Sequence, residues 1–145
     1  MDSVDLKLMR SLVKDPKMPL RKMAREVGLS ISGVRRRIKQ LEEDEVIKYS
    51  VLVNPKKYGY AVTAFVTLQT DPKSIKELAH MLSRKHEVCE IHRTSGGDAL
   101  IIKLRARDLD SLNRFLDEYI SSHDSVKNTT TLIAMETYKE SFLNP

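Results

Sequence analysis

The hydrophobic residues near the start of the chain recur at helical spacing. Val4, Leu8 and Leu12 lie four positions apart, which places them on one face of a helix. An Asp-Pro pair at positions 15–16 then interrupts the pattern, because proline cannot continue a helix. A first helix is therefore predicted over residues 3–14.

Two further helical runs follow, separated by a Gly-Leu-Ser turn. The second run starts near Pro19 and stops at Gly28, a residue type that commonly ends helices. The third run is capped by Ser30 and extends to about Asp44. Its apolar stripe consists of Val34, Ile38 and Leu41. Two helices joined by three residues predict a helix-turn-helix, whose second helix can enter a DNA major groove.

The second half of the chain alternates strand-like and helix-like patterns. After an extended segment at 46–53 and a turn, the patterns predict strands at 61–69, 87–94, 99–105 and 127–138, and helices at 74–85 and 109–120. The order βαββαβ is typical of a ferredoxin-like domain. We therefore predict an α+β chain with a winged-type helix-turn-helix domain at 1–50, a linker at 51–60 and a ferredoxin-like domain at 61–145.

The predicted sheet has an unusual distribution of apolar residues. Helices cover only one face of a ferredoxin-like sheet, yet its strands place apolar residues on both faces, with Val66 on one and Phe65 on the other. A small domain with two apolar sheet faces suggests a homodimer interface. Cys89, the single cysteine, lies in an alternating run and is predicted to be a small buried hydrophobe.

The positive charge is concentrated in the first half of the chain. Residues 1–60 contain 14 Lys+Arg and 8 Asp+Glu, a net charge of +6, whereas residues 61–145 contain 11 and 12, a net charge of −1. Such asymmetry suggests a polyanion-binding module joined to a module with another task. The sequence also shows no pattern typical of a secretory signal or a membrane span, which predicts a cytoplasmic protein.

The outer face of the third helix carries the candidate DNA contacts. Ser32, Arg36 and Lys39 lie opposite the apolar stripe, and Arg35 and Arg37 flank it. Arginine can bind guanine through two hydrogen bonds, so Arg35 and Arg36 with Ser32 are expected to contact bases. Phosphate contacts are expected from Arg37, Lys39 and Lys48. Ser30, which caps the helix, is a further DNA-binding candidate. Alternatively, this is a solvated basic helix whose cations pair with the acidic residues at 42–45.

Taken together, the motifs MAREVGLS, VRRRIKQLE and VNPKKYG resemble the Lrp/AsnC (feast/famine) family of transcriptional regulators. The resemblance covers nearly the whole chain. It implies a double-stranded DNA partner, dimers that assemble into octamers or larger rings, and a bound amino acid as effector. The family usually has glycine where Glu45 and Tyr49 stand, and glycine at the first position would supply a left-handed helix end. Glu45 is therefore expected to be strained by about 1 kcal/mol, or to end the helix differently.

The same resemblance implies an effector loop near residues 94–98. The backbone amides of Gly96 and Gly97 could bind a carboxylate, and Asp98 could bind an α-ammonium group. Ser95 and Thr130 complete the candidate effector site. A Gly-Gly-Asp segment between two strands is also an ordinary hairpin connection.

Two other functions remain open at this point. Sirohaem decarboxylases resemble this family in architecture, and His86 and His92 favour that enzyme, although the basic helix does not. A ligand-independent protein that wraps DNA is the second alternative. The histidine spacing shows no metal motif, and the sequence contains no phosphate loop or nucleophile elbow, so neither a cofactor nor catalysis is predicted.

Overall fold

The computed structural model of the protein describes residues 1–97 and 99–141. The chain forms two compact units: Met1–Leu52 with a C-terminal segment that begins at Lys139, and Val53–Tyr138. Each unit has its own hydrophobic core.

The first unit contains three helices that end where local sequence chemistry predicts. They are α1 (Ser3–Lys14), α2 (Leu20–Val27) and α3 (Ile31–Glu43). Gly28 ends α2 in the left-handed conformation at φ 69°, and the Ser30 hydroxyl accepts a hydrogen bond from the backbone amide of Gly33 at the start of α3. The predicted helix-turn-helix is confirmed.

The core of this unit lies between the three helices. Leu8 of α1, Met23 of α2 and Val34 of α3 are buried almost completely, and Ile38 adds to them one turn further along α3. Burial of such side chains stabilises the unit by roughly 1.5–3 kcal/mol each. This packing fixes which face of α3 remains in contact with solvent.

Glu45, at the end of α3, adopts the left-handed conformation that was expected at this position. Among the described residues, Glu45 is the only non-glycine residue with positive φ, at 55°. The chain turns there because the amides of Val46 and Ile47 donate to the carbonyl of Leu41, at 2.9 and 3.2 Å. Glu45 therefore occupies the left-handed position that glycine would occupy at no steric cost.

The second unit is a four-stranded antiparallel sheet with helices on one face. Its elements, in chain order, are β1 (Val62–Thr70), α4 (Ile75–Ser83), β2 (Val88–Arg93), β3 (Leu100–Ala106), α5 (Leu109–Leu116) and β4 (Val126–Ile133). The strand order is β2-β3-β1-β4, so the predicted βαββαβ fold is confirmed. One π-helical turn, Asp117–Ser121, follows α5.

The two faces of the sheet differ in composition. The covered face contributes Val66 and Ile102, both fully buried against α4 and α5. The open face places Phe65 beside Lys103 and Leu132 in one cross-strand row. The open face is thus mixed, with Phe65 and Leu132 exposed in the single chain.

Two details differ from the sequence expectations. Cys89 is exposed, so its predicted burial was wrong: β2 has an irregular register between Val88 and Glu90, and this irregularity breaks the alternation of faces. The β-rich run expected at 127–138 forms a strand only as far as Ile133. The segment 46–53, which was expected to be extended, contains neither helix nor strand.

Candidate DNA-binding helix and effector loop

The side of α3 opposite the core exposes the residues predicted to contact bases. Ser32, Arg35 and Arg36 are all exposed, because Val34 and Ile38 occupy the buried side of the same helix. Among the described residues neither arginine has an ion-pair partner or a side-chain hydrogen bond. Both guanidinium groups are therefore available to an external acceptor.

The start of α3 is organised by two serine hydroxyls. Ser30 Oγ lies 3.0 Å from Ser32 Oγ and accepts the amide of Gly33 at 3.1 Å. A Cβ at position 33 would lie 3.2 Å from Ser30 Oγ, so glycine leaves room for the cap. This role of Gly33 was not predicted, although a glycine inside the first turn of a helix could have indicated it. The exposed amides and hydroxyls here suit a phosphate oxygen.

Arg37, which was expected to contact phosphate, pairs with two carboxylates of α1 and its cap in the single chain. Its Nη1 donates to Asp2 Oδ2 and to Asp5 Oδ1, both at 2.8 Å. The hydrogen bonds that Arg37 donates to the carboxylates of Asp5 and Asp2 raise the pKa of Arg37. The pKa of Asp2 is lowered, first by the backbone amide of Asp5 and then by the Arg37 guanidinium. Within the single chain these pairs hold α3 against the start of α1, and the phosphate role of Arg37 stays a prediction.

The remaining basic candidates lie further along the chain. Lys39 pairs with Glu43 at 3.0 Å, as the helical spacing predicts, and both side chains are more than half exposed. Such a pair contributes only a few tenths of a kcal/mol, so Lys39 can exchange Glu43 for a phosphate. Lys48 is exposed beyond the end of α3 and has no side-chain partner among the described residues.

The candidate effector loop lies between β2 and β3. Ser95, Gly96 and Gly97 are exposed, and a Cβ at either glycine would meet nothing within 4 Å. Packing within the chain therefore does not require glycine at these positions. Asp98, the expected ammonium ligand, lies outside the described residues.

Thr130, the other effector candidate, is not adjacent to this loop. It is exposed on β4 and pairs with Thr67 of β1, which pairs in turn with Ile101 of β3. Since neighbouring strands lie about 4.8 Å apart, Thr130 and β3 are separated by roughly 10 Å. Strand β1 therefore separates Thr130 from the strand that follows the loop.

The histidines that favoured an enzyme occupy separate environments. His86 lies 3.3 Å from a carboxylate oxygen of Glu87 and meets the edge of the Tyr60 ring. His92 lies 3.5 Å from Glu90, whose pKa is lowered chiefly by its hydrogen bond from Lys103. Within residues 1–97 and 99–141, no group of three His, Cys, Asp or Glu side chains is arranged to hold a metal ion. None of the helices in those residues has the length and hydrophobicity needed to cross a membrane.

Comparison with known proteins identifies relatives for both units. The Lrp/AsnC ligand binding domain matches residues 63–143, and a winged helix-turn-helix DNA-binding family matches residues 1–48. The chain is 36% identical over 141 residues to the HTH-type transcriptional regulator FL11 of Pyrococcus abyssi, an alignment that covers 97% of this chain and 93% of that protein.

Solved structures show the same architecture. An AsnC family transcriptional regulator from Agrobacterium tumefaciens is 30% identical with a TM-score of 0.91, and the match covers 100% of this chain and 97% of that one. The transcriptional regulator NMB0573 of Neisseria meningitidis, solved as a complex with L-Met, gives a TM-score of 0.90 at 22% identity, covering 97% and 94% of the two chains. The latter likeness shows the fold alone.

Proposed function

Because the chain belongs to the Lrp/AsnC family and is a DNA-binding transcriptional regulator with a ligand-binding domain, not an enzyme, we propose which of its residues contact each partner. The observation that carries the proposal is the exposed outer face of α3, whose Arg35 and Arg36 have no side-chain partner within residues 1–97 and 99–141. Arg35 and Arg36 with Ser32 contact base edges. Lys39, Lys48 and the Ser30 cap contact phosphates, and the protein acts in the cytoplasm, where its DNA partner lies.

The division between base and phosphate contacts can be tested with two substitutions. Arg36→Ala removes a base contact and should reduce discrimination between the operator and random duplex by roughly 1–3 kcal/mol. Lys48→Ala should reduce the affinity for the operator and for random duplex by the same factor. It should also lower the slope of log K against log salt concentration by about 1. Lys7→Ala, which removes an exposed lysine from α1, is the control and should leave both quantities unchanged.

The binding site for this test comes from selection of bound sequences out of random duplexes. A dimer should select pseudo-palindromic sites with half-sites one helical turn apart, or a multiple of it. Equal losses on operator and random DNA for both variants would contradict the assigned roles. Selection of sites that contain only one asymmetric half-site would contradict binding as a dimer.

The effector part of the proposal is an amino acid held by the β2–β3 loop. The exposed amides of Gly96 and Gly97 suit a carboxylate, Asp98 suits an α-ammonium group, and Ser95 adds a hydroxyl. Thr130 of a neighbouring subunit completes the site, since the two places lie roughly 10 Å apart within one chain. The same fold in an L-Met complex of NMB0573 supports this ligand class without identifying the effector of this chain.

A thermal-shift screen against the free amino acids tests this site. Binding at 100 times Kd should stabilise the folded protein by about 2.7 kcal/mol. Asp98→Asn should abolish the shift, whereas Asp71→Asn, which alters a carboxylate in the same unit that pairs with Lys127, should not. A shift that survives Asp98→Asn would place the ligand elsewhere, and no shift with any amino acid would favour a ligand-independent regulator.

We also propose that the open face of the sheet forms the homodimer interface, from which octamers or larger rings assemble. Phe65 and Leu132 are 38% and 58% exposed in the single chain, side by side on neighbouring strands. Phe65→Lys should therefore produce monomers in analytical ultracentrifugation. Val13→Lys, which changes an exposed apolar residue of α1, should leave the assembly intact. If Phe65→Lys formed dimers with the same dissociation constant as wild type, the open face of the sheet would not be the dimer interface.

A further inference from the structure

The chain contains a segment with positive charge and no acidic residue. Residues 46–70 include Lys48, Lys56 and Lys57 but no aspartate or glutamate, so their net charge is +3. The matched helix-turn-helix family ends at residue 48 and the matched ligand-binding family begins at residue 63. The two lysines at 56 and 57 therefore lie between the family matches, and neither match assigns them a role.

The backbone around these lysines forms an ordered turn. The side-chain oxygen of Asn54 accepts the amide of Lys57 at 3.1 Å, and its carbonyl oxygen accepts the amide of Tyr58 at 3.0 Å. Gly59, the last residue of the turn, has φ 95°, which a residue with a side chain rarely adopts. Lys56 and Lys57 thus project from a hydrogen-bonded turn of the second unit.

Aromatic rings support the same turn from the C-terminal side. Tyr58 and Tyr60 stack with their ring centroids 5.9 Å apart, and His86 meets Tyr60 edge-on at 6.4 Å. The guanidinium carbon of Arg107 lies 6.0 Å from the centre of the Tyr60 ring. A third cation therefore lies beside the turn, while Glu87 in the same region pairs with His86.

The two lysine side chains are available for an external anion. Both are exposed, and in the part of the chain that the structure describes neither makes an ion pair or a side-chain hydrogen bond. A lysine without a protein partner loses no interaction when it binds a phosphate, and the counterions released from DNA favour the contact.

We propose that Lys56 and Lys57, assisted by Arg107, form a second DNA contact that binds backbone phosphates without reading sequence. The inference rests on the DNA binding proposed for α3 and extends it to a turn of the other unit. Seven residues separate Lys48 from Lys56, so their Cα atoms lie at most ~28 Å apart, or about eight base pairs of duplex. One duplex can therefore contact both lysine positions.

Salt dependence of binding distinguishes this contact from a solvated turn. The full-length double variant Lys56→Ala/Lys57→Ala should lower the salt slope of log K by about 1.8, and affinity by roughly 30-fold near 0.15 M salt. The loss should be equal on the selected operator and on random duplex. Lys56→Arg/Lys57→Arg should retain the wild-type slope, because the charge is preserved.

A second double variant controls for net charge alone. Lys73→Ala/Lys76→Ala removes two exposed lysines from the same unit, at and just before α4, and should change the slope by much less. Equal slopes for the two alanine pairs, or an unchanged slope for Lys56→Ala/Lys57→Ala, would overturn the proposal. If the wild-type protein bound no DNA, the base contacts proposed for α3 would be refuted as well. Melting curves identify any variant that has not folded.

Discussion

Replacing Glu45 with glycine should stabilise the first unit. Glu45 has φ 55° and is exposed, so the substitution relieves left-handed strain without removing a packed side chain. The strain amounts to roughly 1–2 kcal/mol, and the greater freedom of glycine in the unfolded chain offsets about 0.4–1 kcal/mol of it. The expected net gain is about 1 kcal/mol, which corresponds to an increase in Tm of roughly 4–8 °C for a unit of this size.

The carboxylate of Glu45 also matters, because negative charge at a helix C-terminus is unfavourable by about 0.3–1 kcal/mol. Glu45→Ala separates the two effects: it removes the charge but retains the Cβ that causes the strain. In urea unfolding followed by circular dichroism, the free energy of unfolding of Glu45→Gly should exceed that of Glu45→Ala by about 1 kcal/mol. Equal stability of the two variants would refute strain as the cause and leave only the charge.

Three further predictions concern contacts within each unit. Arg37→Ala should lower the Tm of the first unit, measured by circular dichroism, because Asp2 and Asp5 lose their shared partner. Since the pKa of Asp2 is lowered from 3.8 in the folded protein, its stabilising effect is present above pH 3.8 and is lost as pH falls through the folded pKa. The difference in Tm between wild type and Asp2→Asn should therefore disappear in acid. Thr70→Val should destabilise the second unit by about 1–3 kcal/mol in urea unfolding, because the buried Thr70 hydroxyl bonds Ser125 twice at 2.9 Å.

The elements that sequence reasoning predicted well are those governed by local chemistry. Gly28 and Ser30 ended and started helices at the expected residues, because both act on the backbone within one turn. The positive φ of Glu45 was expected on a different ground, since the family that the chain resembles usually has glycine at this position. The sheet topology was predictable because strand-like and helix-like hydrophobic patterns alternate along residues 61–138. Such an order of elements is compatible with few compact folds.

The features that were missed depend on contacts distant in sequence or on irregular pairing. Arg37 meets carboxylates 32 and 35 residues away, which no helical periodicity can reveal. The exposure of Cys89 depends on the register shift between Val88 and Glu90, and a period-two pattern cannot place such a shift. The DNA and effector contacts remain predictions, because each requires a partner of the chain.

Arg37 differs from Arg35 and Arg36 because it pairs with Asp2 and Asp5, and this pairing can be tested separately. Arg37→Ala should weaken DNA binding under either role, since it removes a cation and leaves the carboxylates of Asp2 and Asp5 without their partner near the start of α1. The triple variant Asp2→Asn/Asp5→Asn/Arg37→Ala separates the two roles. If Arg37 acts by neutralising and anchoring these acids, the triple variant should regain most of the lost affinity, with the wild-type salt slope. If Arg37 instead binds a phosphate, the slope should remain lower by about 1 in both variants.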